Sequence, residues 1–439
     1  MVDNRKEGLF RNLSILVGLG LVLYFASKDS QADFLVFRTA AVAVLNGHSP
    51  YVPIVSKAVY SGSAFVYPYY VAWIFTPFAF LSATASEHVY VVVSYFAYVL
   101  GMQILRIRRI PALAALMFSS VLLVSLQMGT LNSLLFLLLA LAWRYRQRPI
   151  VAGLTLGLAI TAKLFLFPIL LFPLFSRRYR LFGTTVVSSN LLLFAGWSFG
   201  PLGLKQYLAM LSRLAVHEGP SGLSLASLLF RIGSNSIVAQ LSAAIFAIGL
   251  LASASALPLI RRRIPESSIF AALVAIALAL TPILWSSYLP LLIIALAISG
   301  VPDAVLAGFG VASWLLLTPD RAGLFGDALG LGLVLVSAVV ILRSGTTRWR
   351  WPQPPDAKAV IRGAVQSVVG KDNPIAEGAL AVAAILLLVS VAAELQNVGA
   401  ALTQLLVALV VFTAVSGSKH ASPELLGSGD GDRASGKFT

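Results

Sequence analysis

The chain has 439 residues, 58% hydrophobic and 11% charged, with a mean hydropathy of +0.89 and a formal net charge of +15. Apolar runs long enough to enter a bilayer recur from end to end, which excludes a soluble globular domain and predicts an all-α polytopic membrane protein. There is no cysteine, so thiol catalysis, structural disulfides and cysteine metal sites are excluded.

The first run, Leu13 to Ser27, has a cationic start and no small-residue cleavage site, and reads as a retained helix rather than a signal peptide. Arginines then recur in tight groups between apolar runs: 106 to 109, 144 to 148, 177 to 180, 261 to 263 and 343 to 350. Positive charge placed this way follows the positive-inside rule and argues for membrane topology over a nucleic-acid partner. With Arg5, Lys6 and Arg11 in the cytoplasm, the first helix delivers Asp33 to the outer side and each arginine group falls inside. Only one net crossing then fits between Asp33 and Arg106, and Glu87 to Leu105 supplies it. Pro68 to Leu81, interrupted by Pro68 and Pro77, is expected to lie in the outer interface.

Further helices are predicted at 112–127, 131–143, 150–165, 166–176, 181–199, 236–259, 268–284, 286–300, 302–317, 324–343, 376–394 and 398–416. The expected total is about twelve to fourteen spans, with both termini cytoplasmic. Two long outer loops result, at 28–85 and 200–235. The expected division is a catalytic membrane domain at 1–345, a cytoplasmic linker at 346–375, a helix pair at 376–416 and a disordered tail at 417–439. No internal repeat suggests a transporter duplication.

The polar residues near membrane depth gather on the expected outer side. Asp33 stands just beyond the first helix, Lys163 at the outer end of the helix from Ile150, and Arg231 after the second outer loop. Gln127 and Asn132 flank one helix break, and Trp285 and Tyr288 lie in another. Lys163 and Arg231 read equally as interfacial anchors and as functional cations, and Gln127 and Asn132 also as helix caps. His48, in the turn that follows Asn46-Gly47, fits a turn residue better than a metal ligand, because the chain's four histidines show no metal spacing.

One carboxylate and two cations suffice for moving a sugar off a lipid phosphate. A base takes the acceptor hydroxyl's proton, and the departing phosphate monoester needs positive charge rather than a general acid. That differs from glycoside hydrolysis, which uses two carboxylates. A donor with a single phosphate needs no metal, and no cofactor is expected.

The ordered set of Asp33, Ala40-Ala41, Gly47-His48-Ser49-Pro50-Tyr51, Val66-Tyr67-Pro68-Tyr69, Thr76-Pro77, Met128-Gly129-Thr130-Leu131-Asn132, Gly153, Gly157, Lys163, Pro168 and Thr281-Pro282 with Trp285 and Tyr288 resembles a known family. It is similar to the polyprenol-phosphate-sugar-dependent membrane glycosyltransferases of the GT-C superfamily, most nearly the actinobacterial alpha-mannosyltransferase and arabinofuranosyltransferase branch. The resemblance spans roughly residues 10 to 345. It implies a GT-C fold with short interfacial helices in the first outer loop, and an active site facing the periplasm or outside. It further implies Asp33 as catalytic base and Lys163 at the donor phosphate. Arg231 is expected as the second cation for that phosphate, and Tyr67, Gln127, Asn132, Trp285, Tyr288 and His48 are expected toward the substrates. The implied partners are a polyprenyl-phosphate-linked sugar, mannose first and arabinofuranose next, a glycolipid or polysaccharide acceptor, and membrane lipids. The chain departs from the family where Tyr69 replaces a second proline, where Met128 to Asn132 replaces Gly-Gln-x-Asn, and where Ser287-Tyr288 stands in place of a histidine. A lipid-linked sugar flippase and a non-catalytic envelope-assembly scaffold are the alternatives. A flippase would spread polar groups through the membrane depth, and here they cluster at one face.

Overall fold

The computed structural model describes residues 15–20, 23–24, 31–54, 56–60, 62–107, 109–219, 222–231, 233–234, 238, 245, 265–281 and 283–314. The predicted helices at 236–259, 324–343, 376–394 and 398–416, the linker, the tail and the boundary at 345 lie outside these residues. Among the described residues all regular structure is helical.

Residues 15–20 and 23–24 are helical. α1 (Ala32–Leu45) follows, then the short helices α2 (Tyr69–Ile74) and α3 (Thr76–Ala79), then α4 (Ala83–Ile104). The single apolar piece expected at 68–81 is thus two short helices, because Pro77 opens α3 and cannot continue α2. The predicted 112–127 helix is likewise two, α5 (Ile110–Met117) and α6 (Ser120–Met128), bent by 47° between them.

α7 (Asn132–Arg144) and α8 (Pro149–Ala162) come next. The predicted helix at 166–176 is a correction: residues Leu164–Leu170 form a 3-10 segment, and only Leu171–Phe175 (α9) is α-helical. Pro168 and Pro173 account for this, since each removes an N–H donor from an α-helical ladder. α10 (Tyr179–Ser198), α11 (Leu204–Glu218) and α12 (Leu225–Arg231) follow. α11 occupies a stretch expected to be loop. The end of the chain described here holds α13 (Glu266–Leu280), a 3-10 turn at Ser286–Tyr288, α14 (Pro290–Ile298) and α15 (Asp303–Ala312). That turn and α14 replace the one helix predicted over 286–300.

By length and composition, α10 is the one described helix able to cross a bilayer unaided, and α5 with α6 is a candidate bent span. α7 and α8, at 13 and 14 residues, are each about 20 Å long, short of the ~30 Å hydrocarbon core.

Packing within the bundle relies on close approach. Gly153 and Gly157 lie one turn apart on α8, and a Cβ at either would collide with Thr184 or Ser188 of α10. The bare glycine surface lets the Ser188 hydroxyl donate to the Gly153 carbonyl at 2.9 Å and Thr184 to the Pro149 carbonyl at 2.7 Å. α13 and α14 are buried on nearly every side, which explains why their sequences are apolar all round.

Candidate active site

α1 fixes the carboxylate. Phe34, Phe37, Ala40, Ala41 and Val44 recur at helical spacing and form its buried face. The Phe34 ring stacks on Tyr90 of α4 at 4.6 Å between centroids, and Phe37 stacks on Phe75, between α2 and α3, at 4.5 Å. With the helix held on both sides, Asp33 stands in its first turn, half-buried beside that face, where the helix N-terminus suits a negative charge. Burial holds the Asp33 carboxyl above the usual carboxylate range, and the charge of Lys163 opposes that shift.

Lys163 stands where α8 stops, its backbone extended at φ −138° and ψ 102°. The turn away from the helix sends the side chain inward, and only 7% of the residue is exposed. Its Nζ sits 3.7 Å from the centroid of the Tyr288 ring and 5.8 Å from that of Tyr67. Tyr288 in turn lies flat on Phe165, 5.3 Å away with 9° between the rings. Among the described residues the Lys163 ammonium has no hydrogen bond and no ion pair.

Asn132 is fully buried at the start of α7. Its Nδ2 donates to the Ser287 carbonyl at 2.8 Å and to Thr130 Oγ1 at 3.1 Å, while its Oδ1 has no partner among the described residues. Asn132 therefore anchors the 3-10 turn that presents Tyr288. Tyr67 reaches the same place from the first loop, its ring 4.7 Å from Phe37 and its carbonyl bonded to the Tyr51 hydroxyl at 2.8 Å.

The fold thus gathers Asp33, Lys163, Tyr67 and Tyr288, with Asn132 behind them. The remaining sequence candidates lie around or apart from this group. Gln127 is half-buried in the last turn of α6, and Trp285 precedes the Tyr288 turn with its residue 36% exposed. Arg231 ends α12, and its side chain lies outside the described residues. His48 is exposed past the other end of α1, its backbone N–H bonded to the Ala43 carbonyl. That places it in the turn, about 20 Å of helix away from Asp33.

Two residues that the sequence reading passed over stand close by. Gln31, 1% exposed, has neither amide atom partnered among the described residues. It packs with Phe34 against Gly129, the left-handed C-cap of α6 at φ 66°, where a Cβ would fall 2.6 Å from Phe34 Cβ. Glycine is required there on both counts. Glu218, the last residue of α11, is a second, half-buried carboxylate. Burial raises it, His217 opposes that, and the charge of Asp33 raises it further, so the two carboxylates sense each other. The signal for α11 was available: Tyr207, Met210, Leu211 and Leu214 recur at helical spacing after Gly203.

The sequence model of glycosyltransferase family 87 matches residues 65–287, just over half of the chain. The chain belongs to glycosyltransferase family 87. This is a membrane glycosyltransferase family of the GT-C type, so the resemblance read from the sequence holds at the level of the superfamily and of the activity class. No curated protein and no solved structure matches the chain. The matched span includes Tyr67, Asn132 and Lys163 and ends one residue before Tyr288, while Asp33 precedes it.

The chemistry of the two charged groups is complementary. A carboxylate whose affinity for protons is increased by burial is a better base, when ionised, than an exposed aspartate. An ammonium with no hydrogen bond or ion pair among the described residues is free to meet an anion.

Proposed function

We propose that this family 87 glycosyltransferase moves one sugar from a polyprenyl-phosphate donor to a lipid-linked or polysaccharide acceptor. The reaction takes place at the outer face of the cytoplasmic membrane. The chain crosses that membrane many times, with both termini cytoplasmic, and mannose is the first choice of sugar and arabinofuranose the second.

In this reading the acceptor oxygen attacks the anomeric carbon as the bond from that carbon to the phosphate oxygen breaks. The acceptor's proton passes to a carboxylate oxygen of Asp33, and the leaving group departs as polyprenyl phosphate. A single displacement inverts the anomeric centre, so a beta-linked donor gives an alpha-linked product. Lys163 meets the departing phosphate, with Arg231 as a second cation. Tyr67, Asn132 and Tyr288 shape the space between base and cation, and Gln127 and Trp285 border it. The donor carries only one phosphate, so the reading requires no metal.

The observation that carries this proposal is the buried Lys163 ammonium, which lies within electrostatic reach of Asp33 and, among the described residues, has no ion pair of its own. Burying an unpaired ammonium costs on the order of several kcal/mol, a cost that an arriving phosphate offsets. Asp33→Asn tests the base. In membranes given polyprenyl-phosphate mannose or arabinofuranose and an envelope glycolipid extract, turnover should fall by about 10²- to 10⁴-fold. Retention of most of the turnover would remove Asp33 from the mechanism.

A further inference from the structure

Beyond the group around Asp33, α11 and the first outer loop form a second feature. Tyr207, Met210 and Leu214 bury one face of α11 against Val59 of the 3-10 turn Lys57–Tyr60. Two hydrogen bonds fix the pairing: Tyr207 donates to the Val66 carbonyl at 3.2 Å, and Arg213 Nη1 to the Ile54 carbonyl at 3.1 Å. Beside this seam lies an open cavity of about 350 Å³, lined by Tyr60, Ser212, Arg213, Val216 and His217, all but Tyr60 exposed to solvent. Its size falls within the ~300–1,000 Å³ of small-molecule sites.

The lining has a defined chemistry. Tyr60 and His217 lie 4.1 Å apart between ring centroids with 30° between their planes, forming one aromatic wall. Arg213 spends one donor on Ile54 and, among the described residues, leaves its other guanidinium N–H groups for a ligand. Ser212 adds a hydroxyl. An aromatic wall beside a set of hydrogen-bond donors suits a saccharide ring, which is apolar on one face and hydroxylated at its rim. The position suits it as well. Tyr207 of the same helix bonds the Val66 carbonyl, next to Tyr67, and Leu164, next to Lys163, packs on the same seam, so α11 adjoins the group around Asp33. Glu218 follows His217 at the end of that helix.

We propose that the Tyr60–His217 cavity is the subsite that holds a sugar unit of the acceptor, directing its free hydroxyl past Glu218 toward Asp33. This inference rests on the glycosyl-transfer reading above, and it concerns the acceptor rather than the donor.

Its test uses the full chain in phosphatidylcholine nanodiscs, with methyl α-mannopyranoside and methyl α-arabinofuranoside as probes in saturation-transfer NMR, and inorganic phosphate as a competitor. One glycoside should bind in the parent protein. Tyr60→Ala and His217→Ala should weaken that binding about three- to tenfold, while Tyr60→Phe should leave it nearly unchanged. Asp33→Asn should still bind the glycoside. Glycoside binding indifferent to Tyr60→Ala and His217→Ala would overturn the proposal. Loss of the signal on adding phosphate, or on placing phosphatidylglycerol in the nanodisc, would do so too, because the cavity would then be an anion or lipid-headgroup site. Binding is read without turnover, so a failed Asp33 assignment and a failed acceptor subsite remain distinguishable.

Discussion

Two places in the molecule set a cation among apolar helices, and they treat it in opposite ways. Where the α7–α8 and α9–α10 turns meet the start of α13, Glu266 takes Arg178 bidentately, at 2.7 and 3.0 Å, and Arg146 at 3.4 Å. Gln147 and two backbone carbonyls accept from what the guanidinium groups have left over. At the end of α8, Lys163 is more deeply buried, lies against aromatic rings and, among the described residues, has no hydrogen bond or ion pair. A charge paired with a carboxylate in this way is a fastening. In the proposed mechanism, a buried charge held without an anion is kept for the donor phosphate.

The comparison breaks first at Lys163. Replacing it with methionine keeps the bulk and removes the charge, and should reduce turnover about 10²- to 10³-fold with the protein still folded. The measurement is single-turnover rate beside thermal unfolding in nanodiscs. A variant that unfolds earlier and turns over normally would make Lys163 a fastening like Arg178. The converse holds for Glu266→Gln. It leaves two arginines without their carboxylate, and for groups about one-third exposed the loss should be about 1–2 kcal/mol of stability. Its turnover at low temperature should match the parent's.

How much of this was legible beforehand follows the same division. Asp33 and Lys163 could be read because an ionised group beside an apolar run is rare and stands out alone. The Asp33–Tyr67–Tyr288 grouping could not, since it depends on α1 being clamped by Phe34 and Phe37 and on Asn132 reaching the Ser287 carbonyl across 155 positions. Gln31 was invisible for a different reason. A neutral amide before a helix looks like any loop residue until burial strips it of partners. Glu218 is hidden with its helix, because one amphipathic segment inside a long stretch between apolar runs reads as loop. The helix boundaries failed where proline sits: Pro77 divides the interfacial piece, and Pro168 and Pro173 break up the 166–176 span.

A smaller effect sharpens the comparison through pH. Asp33 must be ionised to accept a proton, so the rate should rise with pH as Asp33 deprotonates. Burial sets that rise above the ordinary carboxylate range, and the Lys163 charge pulls it partway back. In the residual activity of Lys163→Met, the acid limb should therefore move to higher pH. In Glu266→Gln it should stay where it is. A limb that does not move on removing Lys163 would mean that the two groups do not share a site.

The smallest expected effect concerns the rings, and it has a counterpart at each end. Lys163 lies 3.7 Å from the Tyr288 centroid, and the Arg146 guanidinium lies 4.0 Å from that of Trp143. Contacts of this kind contribute about 0.5–2 kcal/mol, more where water is excluded. Tyr288→Phe keeps the ring face and should leave turnover within about threefold, whereas Tyr288→Leu should lower it by about three- to thirtyfold. Trp143→Leu should lower the unfolding temperature and leave turnover alone, because Arg146 keeps Glu266 and the Trp143 carbonyl as partners. If Tyr288→Leu behaved in the same way as Trp143→Leu, changing stability without rate, the Tyr288 ring would be packing for the lysine rather than part of the surface that positions it for the phosphate.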